Sequence, residues 1–101
     1  MAEIPPSGVK RVFAAARNDH EEIIARYIER GGNLNVTDHD GWTLLMHAVV
    51  HRRAGIVRFL VDSGADPDTT AEERGTTALA IAQEREYTEI AQILQQAGAS
   101  R

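Results

Sequence analysis

The stretch D-H-D-G-W-T-L-L-M-H-A from Asp38 to Ala48 runs on through G-I-V-R-F-L-V from Gly55 to Val61. It closes on S-G-A-D at Ser63 to Asp66. Two apolar runs at helical spacing are joined by a short polar turn, and a glycine ends the second. That pattern predicts a helix–turn–helix hairpin with a glycine stop. Its boundary residues recur. Gly31, Gly64 and Gly98 are spaced by 33 and 34 residues, and Ala15, Ala48, Ala82 and Ile23, Ile56, Ile90 keep the same interval. A fixed period of this size marks an array of stacked units, each covering the apolar face of the next.

The chain divides into an expected extended lead-in over residues 1–8 and one domain over residues 9–101. The units fall at about 9–37, 38–70 and 71–101. The lead-in is expected to be extended because Pro5 and Pro6 cannot sit inside a helix. In the first unit, helices are expected at Val9 to Arg17 and Glu21 to Arg30. Asp19 reads as the N-cap of the second, with Glu22 completing a capping box. In the middle unit, Leu44, Leu45, Ala48 and Val49 line helix A, and Ile56, Val57, Leu60 and Val61 line helix B. The third unit predicts helices at Thr77 to Arg85 and Thr88 to Ala97. One extra residue between Pro67 and Gly75 explains the slip from 33 to 34, and a single loop insertion costs the fold little.

The unit resembles the ankyrin repeat. Asp38, Gly41, Thr43, Leu45, Ala48, Leu60, Gly64, Ala65 and Asp66 stand on that family's motif positions. Gly75, Thr77, Leu79, Ala82, Leu94, Gly98 and Ala99 repeat the match, and Ala15, Ala16, His20, Gly31 and Asn35 carry a weaker one. The resemblance implies an all-α solenoid of three helix–turn–helix repeats joined by hairpin-like loops. The chain departs from the pattern at several places. The family's Thr-Pro-Leu-His reads T-L-L-M at Thr43 to Met46 and T-A-L-A at Thr77 to Ala80. The glycine that usually ends helix A is replaced by Asp19, Arg52 and Glu86, so the turn there is either strained or of another type.

The outer units differ from the middle one where an array needs water-compatible ends. Arg26 stands opposite Phe59 and Ile93, Gln95 opposite Ile28 and Val61, and Gln83 opposite Val49. The expectation is therefore a self-contained three-repeat array, monomeric when unbound. A net charge of −4 fits poorly with a nucleic-acid binder, which needs a basic face. The apolar runs are too short to span a bilayer, and the absence of cysteine fits a reducing cytoplasm.

Catalytic or metal chemistry has one foothold. His47 and His51 are four residues apart on one predicted helix, with His39 and Asp40 on the preceding loop. A metal-binding or catalytic protein using His39, Asp40, His47 and His51 is the alternative reading. However, a metal site needs three or four placed ligands, and Ala48 stands where the metalloprotease motif needs its glutamate. Ala14 and Ile81 occupy the register of His47 in the other units, so helix packing explains that histidine as well. The acid pairs Asp38–Asp40, Asp66–Asp68, Glu72–Glu73 and Glu84–Glu86 fall on loops or solvent-facing positions, and no cofactor motif occurs.

Trp42 has Val9 and Thr76 at its register, so the fold does not demand an aromatic there. The ankyrin resemblance places this position on the concave side. A lone tryptophan there is a candidate hot spot; the competing reading folds it back over the first unit. The family's concave positions, carried over, are His39, Asp40, Trp42, Val50 and His51 in the middle unit. The third unit adds Glu73, Arg74, Thr76, Glu84 and Arg85, and the first adds Arg17 and Asn18. The implied function is a non-catalytic adaptor or inhibitor that binds another protein. An acidic chain of this size would suit blocking a basic partner, as a toxin-neutralising immunity protein does.

Overall fold

The computed structural model describes residues 6–71 and 75–99. Glu73, Arg74 and residues 1–5 lie outside that set. Helices α1 (Pro6–Arg17) and α2 (Glu21–Glu29) form the first hairpin, α3 (Leu44–Val50) and α4 (Ala54–Asp62) the second, and α5 (Ala78–Glu84) and α6 (Thr88–Gln96) the third. Among the described residues there is no strand; one isolated antiparallel bridge joins Thr37 to Thr43. The fold is an all-α solenoid, as its period predicts.

Thr43 and Thr77 start α3 and α5. Each sits in extended conformation, and its hydroxyl oxygen accepts the N–H of Met46 or Ala80 at 3.1 Å. That satisfies one of the donors a helix start leaves open. The first repeat carries Lys10 at this register, with no such cap, and α1 runs back past it to Pro6. The extended lead-in expected through Gly8 is therefore corrected: residues 6–8 are helical. Proline is excluded from a helix interior but fits its first position, where its missing N–H would have had no partner.

A second correction concerns Asp19. It is not the N-cap of α2; His20 is, without a side-chain cap bond, and Asp19 holds φ at 64°. Arg52 and Glu86 repeat that left-handed conformation at 56° and 59°. The wiring repeats too. His20, Arg53 and Tyr87 donate their N–H groups to Ala15, Ala48 and Ala82 carbonyls at 2.8–2.9 Å. Gly31, Gly64 and Gly98 close the B helices in the same way, with φ between 83° and 99°. All three A–B turns thus use a left-handed closure that favours glycine, and a side chain there costs about 1 kcal/mol each.

The A helices stack α1 on α3 on α5, and α4 packs on α6. Ala15, Ala48 and Ala82 are buried at the helix contacts together with Leu60 and Leu94. Arg26, Gln83 and Gln95 are exposed while Val49 and Ile93 are buried, so the polar substitutions of the outer repeats do face water.

Candidate functional site

The second and third repeats present candidate residues at both ends of helix A, and the first repeat at the end of α1 only. At the start of α3, His39 and Asp40 occupy the loop tip and Trp42 precedes the capping threonine; Thr76 does the same before α5. At the other end, Arg17, Val50 and Glu84 are the last residues of α1, α3 and α5. Asn18, His51 and Arg85 follow them. Stacking of the A helices brings these into two rows, separated by the length of a seven-residue helix, about 10 Å. Asn18, His39, Asp40, His51, Glu84 and Arg85 are exposed, and Arg17, Trp42, Val50 and Thr76 are half-buried.

Asp38 organises the first row. Its Oδ1 accepts the N–H groups of Asp40 and Trp42 at 3.0 Å, and its Oδ2 accepts from His47 Nε2 at 2.8 Å. The carboxylate can only accept, so the proton lies on His47 Nε2. His47 in turn meets Phe13 of the first repeat edge-on, with ring centroids 5.2 Å apart, and Trp42 at 5.5 Å. Trp42 is therefore half-buried, with its ring set against His47 rather than standing free. Burial alone would raise the Asp38 carboxyl, but three hydrogen bonds, from the His47 ring and the Trp42 and Asp40 amides, outweigh it. Aided by the His47 charge, they hold Asp38 below its ordinary value of 3.8.

This geometry gives the metal alternative no support. His47 Nε2 is taken by Asp38, His51 Nδ1 donates to the His47 carbonyl at 3.0 Å, and His39 pairs with Asp40 at 3.5 Å on open surface. Among the described residues, no three histidine or acidic side chains gather into a metal site. His39, Asp40, His47 and His51 are divided between a loop tip, an internal hydrogen bond and a helix end.

Two links tie the turn edge together. Arg53 Nε donates to the Arg17 carbonyl at 2.9 Å, where the end of α1 leaves acceptors open. Arg52 lies over the Tyr87 ring, 5.0 Å from its centroid. On the loop edge, Asp66 N–H donates to Asn35 Oδ1 at 2.8 Å. The Asp38–His47 pair has an apolar counterpart that the structure reveals. Ala71 N–H donates to the Thr76 carbonyl as Asp38 N–H does to that of Trp42, and Ile81 stands at the His47 register, whereas the 34-residue register in sequence aligns Glu72 with Asp38.

A family model of ankyrin repeats in three copies matches residues 12–100. The ankyrin repeat protein YahD of Escherichia coli (strain K12) is 44% identical over 72 residues, which cover 66% of this chain and 35% of that protein. The mitochondrial disaggregase of Bos taurus is 30% identical over 91 residues, or 81% of this chain and 13% of that one. Among solved structures, an ankyrin repeat domain from Acinetobacter baumannii AYE matches with a TM-score of 0.80 at 33% identity. That match covers 88% of this chain and 47% of the other. The chain thus spans about a third or less of these two curated relatives. Period, turn wiring and similarity converge: the chain belongs to the ankyrin repeat family.

Proposed function

We propose that the chain is a non-catalytic protein–protein interaction module, an adaptor or inhibitor that docks a partner protein on its concave face and inter-repeat loops. Ankyrin repeats are generally modules of this kind. The observation that carries the proposal is the pair of rows on the A helices. Polar residues from three repeats stay open in matching register, while the positions between them are buried. A scaffold already ordered in this way loses little entropy on docking.

The net charge of −4 suits a basic protein surface and opposes nucleic acid. Among the described residues, no helix is long and apolar enough to cross a membrane. Exposed Arg26, Gln83 and Gln95 support a monomer before binding, and the lack of cysteine supports a cytoplasmic setting.

Trp42 is the proposed anchor, since its ring is oriented by His47 and still half-open. With a partner isolated by affinity capture on the immobilised chain, Trp42→Ala is expected to weaken binding by about 2 kcal/mol, roughly thirtyfold in Kd. Gln92→Ala, on the exposed face of α6, is expected to leave it unchanged. Calorimetry on both variants checks this. Equal affinities for intact chain and Trp42→Ala would remove Trp42 from the interface.

A further inference from the structure

A groove of about 160 Å³ lies beyond the rows described above, between the A–B turn of the second repeat and the start of α6. Arg52, Ala54, Tyr87, Thr88, Glu89 and Ile90 line it. The Arg52 guanidinium rests over the Tyr87 ring. Among the described residues, no carboxylate stands within ion-pair distance of Arg52. Its backbone is left-handed, where glycine would serve as well, so the turn itself gives no reason for an arginine.

We infer that this groove seats an acidic side chain of a partner protein against Arg52, followed by an apolar neighbour resting on the half-buried Ala54. A guanidinium resting over a ring, 5.0 Å from its centroid, makes no hydrogen bond to it and leaves its N–H donors for a carboxylate. The aromatic contact restrains the guanidinium, so less freedom is lost when the acid docks. The groove is below the roughly 300 Å³ of small-molecule pockets, which favours one side chain over a free ligand. A polyanion such as nucleic acid is opposed by Glu84, Glu86 and Glu89, all exposed near the site in sequence. Glu89 also lines the groove, so a second acid is disfavoured there and an amide or basic donor is accepted. Because Arg52 directly follows His51 and Tyr87 lies two residues after Arg85, the groove continues the second row of the docking surface. It rests on the proposed docking role but uses different residues from Trp42.

The test uses the intact 15N-labelled chain titrated with acetyl-Leu-Glu-Leu-amide, and with the matching glutamine and lysine peptides. The glutamate peptide is expected to give saturable amide shifts centred on Arg52, Tyr87 and Ile90, and to bind about tenfold more tightly than the glutamine peptide. Arg52→Gly suits the left-handed backbone and should keep the fold, yet lose the shifts. Trp42→Ala should keep them. Absence of saturable shifts, equal binding of the glutamine or lysine peptide, or full binding to Arg52→Gly would each overturn the assignment. If that happened while Trp42→Ala still weakened partner capture, the groove would fall and the concave docking surface would stand.

Discussion

Asp38→Ala is expected to lower stability by about 2 kcal/mol, measured by urea denaturation at neutral pH. The change strands three donors at once: the Trp42 and Asp40 amides and the His47 ring N–H. The His47 side chain is only 16% exposed, so water replaces its lost acceptor poorly. The third repeat shows the alternative solution, because Ala71 and Ile81 occupy the two positions and are both buried. The double variant Asp38→Ala with His47→Ile should therefore recover at least about 1 kcal/mol of the combined losses. Strict additivity of the two single changes would show that the pair does not act as a unit.

The same pair sets an acid dependence. Asp38 is lowered on folding. It therefore stabilises the fold above its unfolded value, and that contribution disappears as pH falls through the folded value. The intact chain should thus lose more stability than Asp38→Ala between pH 7 and the acid side of 3.8.

Gly32→Ala should be the second damaging change, at about 2 kcal/mol. A Cβ there would lie 2.5 Å from the Tyr27 ring. That ring is buried, and its hydroxyl donates to the Asn33 carbonyl at 2.9 Å, so it cannot swing away freely. The other repeats carry Leu60 with Ala65 and Leu94 with Ala99, a smaller side chain facing a larger one. Tyr27→Leu alone should cost about 1 kcal/mol through the lost hydrogen bond. Combined with Gly32→Ala, it should restore the packing of the sister repeats, and the double variant should lose about 1 kcal/mol less than the sum. Thermal or urea denaturation of the four proteins gives the coupling directly, and a value of zero would contradict equivalent packing in the three units.

The period was legible because each helix-B end needs a left-handed closure, which glycine supplies at Gly31, Gly64 and Gly98. The A–B turns hid the same closure behind Asp19, Arg52 and Glu86. At Asp19 the reading went astray, since aspartate is also a favoured N-cap. Pro6 misled for a related reason: proline marks both a helix's first position and its absence. The exposed outer residues were readable from register alone, while Thr77 read as the first helical residue and proved to be the cap that precedes it. In the candidate site, sequence separated polar from apolar positions but gave no side-chain directions. The Trp42–His47 contact, the Arg53 link to Arg17 and the Arg52–Tyr87 pair depend on how repeats approach one another in space. Periodicity within one repeat carries no information on that approach.

On the proposed function, a partner protein meets the A-helix rows and loop tips. Cross-saturation NMR from a bound, unlabelled partner to the 15N-labelled chain tests it most directly. Signal loss is predicted around His39 to Trp42, Val50 to Arg52 and Glu84 to Tyr87. Loss concentrated instead at Arg58, Asp62, Gln92 and Gln96 on the outer B helices, with the A-helix ends untouched, would contradict it.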